Sequence, residues 1–118
     1  MKGFVTLYYY TYDSNGFSYV SIDKVDYRFE NYDSSVTISN KQIVIAQNGV
    51  GYTNGGKAVT TQKTTRNALD SETILVRNWN WIPILKYGAP YVCGVELSAV
   101  LQRGQQSNWN FIFNFNLT

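Results

Sequence analysis

Trp109 to Leu117 reads W-N-F-I-F-N-F-N-L. Trp109, Phe111, Phe113, Phe115 and Leu117 fall at every second position, and Asn110, Ile112, Asn114 and Asn116 lie between them. Side chains two apart share one face of a strand, whereas a helix scatters them around its circumference. The segment is therefore expected to be a β-strand with one aromatic face and one mostly polar face. A face this apolar needs an opposing layer, so the aromatic row, Trp109 included, is expected in the core.

A second long alternation supplies a partner. Tyr91 to Leu101 places Tyr91, Cys93, Val95, Leu97, Ala99 and Leu101 on one face and Val92, Gly94, Glu96, Ser98 and Val100 on the other. The polar link Arg103–Asn108 is short, so the two strands are expected to pair antiparallel. That pairing sets small Cys93 and Ala99 among the large rings, as close packing favours. Cys93 is the single cysteine, which rules out an intrachain disulfide and suits a small core residue.

The preceding chain repeats the two-residue period. Residues 4–12, F-V-T-L-Y-Y-Y-T-Y, carry apolar area on both faces, one for the core and the other a partly exposed aromatic surface. The Asn-Gly of Asp13–Gly16 suits a tight hairpin turn. The next strand, from Phe17 to Glu30, slips phase by one residue at Asp23-Lys24, the mark of a β-bulge. Short strands are expected at 36–38 and 42–47, separated by Ser39-Asn40 and ended by Asn48-Gly49. The glycines from 49 to 56 read as hairpin and bulge positions, since no phosphate-loop spacing leads into a helix pattern. Lys57–Thr65 reads as an edge strand guarded by Lys57 and Lys63. Residues 66–72 are the one candidate for a short helix or broad turn, followed by a strand at 73–77 and a turn at Tyr87–Pro90. About eight strands result. The expected fold is all-β: a two-sheet antiparallel β-sandwich forming a single domain over residues 1–118, with a small β-barrel as the other architecture that fits.

Several classes of chemistry lack their residues. The chain has no histidine, which removes the usual Ser-His-Asp and Cys-His nucleophilic sites and the common zinc sites. The acids Asp23, Asp26, Glu30 and Asp33 form the densest carboxylate group, but Arg28 lies among them and a solvated charged face is expected. Calcium ligation by Asp13, Asn15 or Asp33 has no supporting spacing. No catalytic residue, metal or cofactor is therefore expected, and the protein is not read as an enzyme. Charged residues make up 15% of the chain, against roughly 25% in ordinary soluble domains. The net charge is +2, and no Lys/Arg run is present to track a phosphate backbone, so nucleic acid is not an expected partner. The weak asymmetry of five acids against three bases in residues 1–33, and seven bases against three acids beyond, leaves at most a mildly basic face.

Aromatic residues make up 16% and carry the functional expectation. Asn78–Ile84, N-W-N-W-I-P-I, contains Pro83, which lacks an amide proton and suits an edge strand or loop. Trp79 and Trp81 are two apart and share a side if the stretch is a strand. With Asn80, Tyr52 and Tyr87 they form the candidate ligand-binding set: rings to stack on sugar faces, and amides to bond hydroxyls. The expected function is that of a secreted, non-catalytic binding protein that recognises a carbohydrate or cell-surface ligand through exposed aromatics. The alternatives are a membrane-active toxin or antimicrobial protein, since Tyr and Trp settle at lipid headgroups, and a structural or inhibitory protein-binding module. The Gly-rich middle, W-N-W-x-P and the final aromatic strand resemble small secreted bacterial β-sandwich proteins in general character. No signal peptide or membrane-spanning run is read in the chain, whose opening fits a mature exported domain or a cytosolic protein.

Overall fold

A computed structural model describes residues 1–14, 16–53, 56–86 and 92–117, with the backbone alone for Ser14, Tyr52 and Thr53. The first two strands, β1 (Lys2–Ser14) and β2 (Phe17–Glu30), form the hairpin expected of Asn-Gly. Ser14 pairs with Phe17, and Gly16 takes a φ of 81° that glycine accommodates without strain. The phase slip is a bulge: Tyr8 faces Lys24 and Tyr9 faces Ile22, so Asp23 is the extra residue.

The remaining strands are β3 (Val36–Thr53), β4 (Gly56–Thr60), β5 (Lys63–Asn67), β6 (Ser71–Ile74), β7 (Ile84–Leu85), β8 (Val92–Arg103) and β9 (Trp109–Asn116). One 3-10 turn, Val76–Trp79, interrupts them. All pairings are antiparallel. β3 belongs to two sheets. Its Val36–Asn48 part lies between β5 and β8, with β9 beyond β8. Its Gly49–Thr53 part pairs with β4 and, at Gly51, with β7, which joins β2 and so the β1–β2–β6 side. The two sheets curl towards each other around one core. Val20, Ile22, Val25, Tyr27, Ile74 and Ile84 come from one side, and Ile43, Ile45, Cys93, Val95, Leu97 and Ala99 from the other. Each fully buried aliphatic side chain contributes roughly 1.5–3 kcal/mol relative to exposure. β1 and β9 end the strand order and share no ladder, so the ring is not closed.

The all-β antiparallel architecture is as expected, with local differences. The two short strands at 36–38 and 42–47 are one long strand. It absorbs Asn40, at a φ of 50°, in a register shift between Ser39 and Gln42, and it runs through Asn48-Gly49 without turning. Asparagine tolerates that left-handed conformation, so a bulge serves where a turn was expected. Lys57–Thr65 is split into β4 and β5. Residues 66–72 hold no helix, and the helical turn lies instead at Val76–Trp79, where the strand at 73–77 was expected to continue. The expected turn Tyr87–Pro90 lies outside the described residues.

The largest correction concerns β9. It pairs with β8 in the expected antiparallel sense, Leu101 opposite Trp109 and Val95 opposite Phe115. Its aromatic face is not buried, however. Trp109 is 45%, Phe113 36% and Phe115 43% exposed. The reason is position: β9 is the last strand of its sheet, and of the row only Phe111 and the following Leu117 pack against the core. That ring packs against Gly3 of β1, where a Cβ would stand 3.1 Å from the Phe111 Cζ. The polar face, with Asn110, Asn114 and Asn116, is exposed.

Candidate functional site

Two glutamines fasten the W-N-W stretch to the sheets. On the side away from β1, β2 is bordered by β7 at Tyr19–Val20 and by β6 at Val25–Arg28, and among the described residues no strand lies beside Ile22 between them. Gln47, fully buried on β3, fills that gap. Its Oε1 accepts the Ile22 N–H at 2.7 Å, and its Nε2 donates to the Ile82 carbonyl at 2.8 Å and, at 3.4 Å, to Ser21 Oγ. Gln62, between β4 and β5, also grips Ile82. Its Nε2 donates to the Ile82 and Gln47 carbonyls at 2.8 and 3.0 Å, and its Oε1 accepts the Ile82 N–H at 2.6 Å. Buried polar groups need such partners, because an unmade bond costs the full desolvation. Gly51 completes the seat, since a Cβ there would lie 2.8 Å from Ile82 Cγ2 and 3.0 Å from the Pro83 carbonyl oxygen.

The fastened segment is folded by a turn rather than extended. The 3-10 turn ends at Asn80, which takes φ 56° and ψ 36°. This left-handed step brings the Trp79 and Trp81 rings to a centroid distance of 5.0 Å at an angle of 59°. The two rings therefore share a side, though not through strand alternation. Both are half-buried and pack against the core, while Asn80 is exposed.

The solvent side of this segment forms a cleft of about 300 Å³ lined by Tyr10, Ser21, Arg77, Asn80, Trp81 and Pro83. Arg77 is held at its rim by an ion pair with Asp23 at 3.1 Å. From Tyr10 an aromatic row leads away along β1 and β2: Tyr10 stacks on Tyr12 at 6.1 Å, and Tyr12 on Tyr19 at 5.9 Å, both at 23°. Burial, then the neighbouring Tyr10 and Tyr19, push the Tyr12 hydroxyl above its usual value, so it remains a protonated donor. The same strand pair carries cations over rings, Lys24 over Tyr8 at 4.5 Å and Arg28 over Phe4 at 4.1 Å. Lys57 sits over Phe17 at 3.3 Å.

Of the residues expected from sequence to bind ligand, Trp81 and Asn80 line one cleft, and Trp79 backs Trp81 from within. Tyr52 lies on β3 opposite Lys57, and its side chain is outside the described residues. Tyr87 is outside them altogether. Tyr10, Tyr12 and Arg77 were not singled out from the sequence. The signal for the tyrosines was the aromatic content of both faces of residues 4–12, and Arg77 gave none.

The acids of β2 and of the turn after it are spread along the chain, each with its own partner. Asp23 faces Arg77, and Asp26 accepts from Thr73 Oγ1 at 2.5 Å. Glu30 bonds Tyr32 and Arg28, and Asp33 bonds Ser35 and Arg103. Cys93 is buried, and desolvation pushes its thiol up to about 12. Among the described residues, no helix is long and apolar enough to cross a membrane. No family model matches the chain, and neither a curated protein nor a solved structure is similar to it.

Proposed function

We propose that this protein is an exported, non-catalytic binding protein that holds a carbohydrate chain at a cell or polymer surface. The cleft between Trp81 and Tyr10 is the observation that carries this reading. A pyranose presents an apolar C–H face and a rim of hydroxyls. Trp81, Pro83 and Tyr10 offer apolar area to the face, and Arg77, Asn80 and Ser21 offer polar groups to the rim. The lining is more polar than that of the usual small-ligand site, which suits a hydroxyl-rich sugar, and the volume stands at the low end of the usual range. Tyr12, exposed and stacked between Tyr10 and the buried Tyr19, extends the contact beyond one sugar, which suits a chain better than a monosaccharide.

Retention on a glycan array and on insoluble cell-wall polysaccharides tests the proposal. Tyr10→Ser, at an exposed position, is expected to weaken retention roughly tenfold, about 1.4 kcal/mol. Trp81→Ala is expected to weaken it further. A wild-type protein retained by no glycan or wall fraction would overturn the proposal, as would a Tyr10→Ser variant that binds like the wild type.

A further inference from the structure

β9 is an edge strand with none of the devices that keep edges apart. The other described edge strands each carry charge: Lys2 and Asp13 on β1, Lys57 on β4, Lys63 and Arg66 on β5, Glu72 on β6. From Gly104 to Thr118 there is no charged residue at all. Exposed edges are ordinarily blunted by charge, proline or a bulge, and the β8–β9 register shows no shift.

The backbone of β9 is also oriented. The Leu117 N–H donates to the Cys93 carbonyl at 2.8 Å. Both backbone groups of a residue in an antiparallel strand point to the same side, and successive residues alternate. The odd residues of β9 therefore bond β8, and Asn110, Ile112, Asn114 and Asn116 direct their N–H and C=O groups outwards.

We infer that β9 pairs antiparallel with β9 of a second copy of this chain, forming a two-fold dimer across the open edge. The parity of the outward groups permits only even-to-even and odd-to-odd pairings. A two-fold axis at Phe113 sets Trp109 against Leu117, Phe111 against Phe115, and Phe113 against itself, which continues the core face from one subunit into the other. On the opposite face it sets Asn110 against Asn116, amide to amide, and Ile112 against Asn114. No like charges meet, whereas an edge guarded by lysine would bring an unpaired charge beside the rings. Isologous pairing of this kind closes at two subunits. With the exposures given above and 61% for Ile112, each copy contributes roughly 350 Å² of exposed ring and branched side chain. Adding the strand backbone and the asparagines brings the interface to the order of 1,000 Å² in total, the lower bound for a specific association. The dimer is therefore weak, with a dissociation constant on the order of 10 μM.

Proline at position 112 separates strand pairing from mere stickiness. It removes an outward N–H while leaving the bonds to β8 and the aromatic row in place, and proline is tolerated at such edge positions. Sedimentation of the full chain over about 1–500 μM is expected to show a concentration-dependent monomer–dimer equilibrium, a range that brackets the expected constant. Ile112→Pro is expected to weaken it at least tenfold, about 1.4 kcal/mol, with a retained far-UV spectrum. Asn114→Lys, at an exposed position, tests the same edge if the proline variant does not fold. A wild type that stays monomeric throughout overturns the inference, as does undiminished association of Ile112→Pro or of folded Asn114→Lys. Binding of neutral or anionic phosphatidylcholine/phosphatidylserine vesicles that is equal for wild type and Ile112→Pro, without dimerisation, would make β9 a membrane face instead.

Discussion

Gln47 shows how one polar residue holds two sheets in register. It stands where β3 leaves one sheet for the other, and its amide bonds Ile22 in the gap between β7 and β6. Gln47→Leu keeps the volume but leaves the Ile22 N–H without its acceptor in a dry site. The expected loss is about 1–3 kcal/mol of unfolding free energy, the cost of an orphaned buried group, read from urea denaturation. An unchanged midpoint would show that water or a shift of the 80–83 segment replaces the bond. Nothing in the Q-I-V-I-A-Q run distinguishes Gln47 from a solvated edge glutamine, because its partners lie 25 and 35 residues away. Cys93 is the opposite case. An uncharged residue in an alternating apolar run reads as core, and it is core.

At the scale of elements, the turns that end neighbouring hairpins are tied to one another. Asp33, in the turn after β2, accepts from the Ser35 hydroxyl and backbone at 2.6 and 2.9 Å, and Arg103, at the end of β8, donates to it at 2.7 Å. The Ser35 bonds, then Arg103, hold its carboxyl below the usual carboxylate range. A folded value below the unfolded one means that the stabilisation is complete above the unfolded value, about 3.9, and is lost as pH falls through the lower folded value. The difference in melting temperature between wild type and Asp33→Asn is expected to be constant from neutral pH down to about 5 and to shrink as pH falls below the unfolded value. A difference that persists undiminished at the acid end would separate the effect from Asp33 ionisation. Strand periods were legible at this scale wherever side chains alternate, as in β2, β8 and β9. The continuity of β3 was not, because Asn40 and Asn48-Gly49 carry turn chemistry that a long strand absorbs as irregularities.

The whole molecule is long: its principal extents are 57 × 22 × 21 Å and its radius of gyration is 16.8 Å, against about 13.5 Å for a compact domain of this length. The length follows from strands of 13, 14 and 18 residues in β1, β2 and β3, each rising about 3.3 Å per residue. Small-angle scattering extrapolated to infinite dilution is expected to return a radius close to that of the elongated monomer. A value near the compact figure would mean that the hairpin arms fold back in solution.

The class of fold, the β1–β2 hairpin with its bulge at Asp23 and the pairing of β8 with β9 are written in the amino-acid order. These depend on side-chain period and turn chemistry within short stretches, which is local physics. The same order also picks out the W-N-W stretch, two residues of which line the cleft. That Asn80 turns that stretch, that Tyr10 and Arg77 join it, and that two distant glutamines hold it follow from the folded arrangement alone. The same holds for the last strand. Its alternation identifies an aromatic face, but whether a face is covered depends on where the strand falls in the sheet and how far the opposing layer extends. β9 falls at the edge, and only Phe111 reaches cover beneath Gly3.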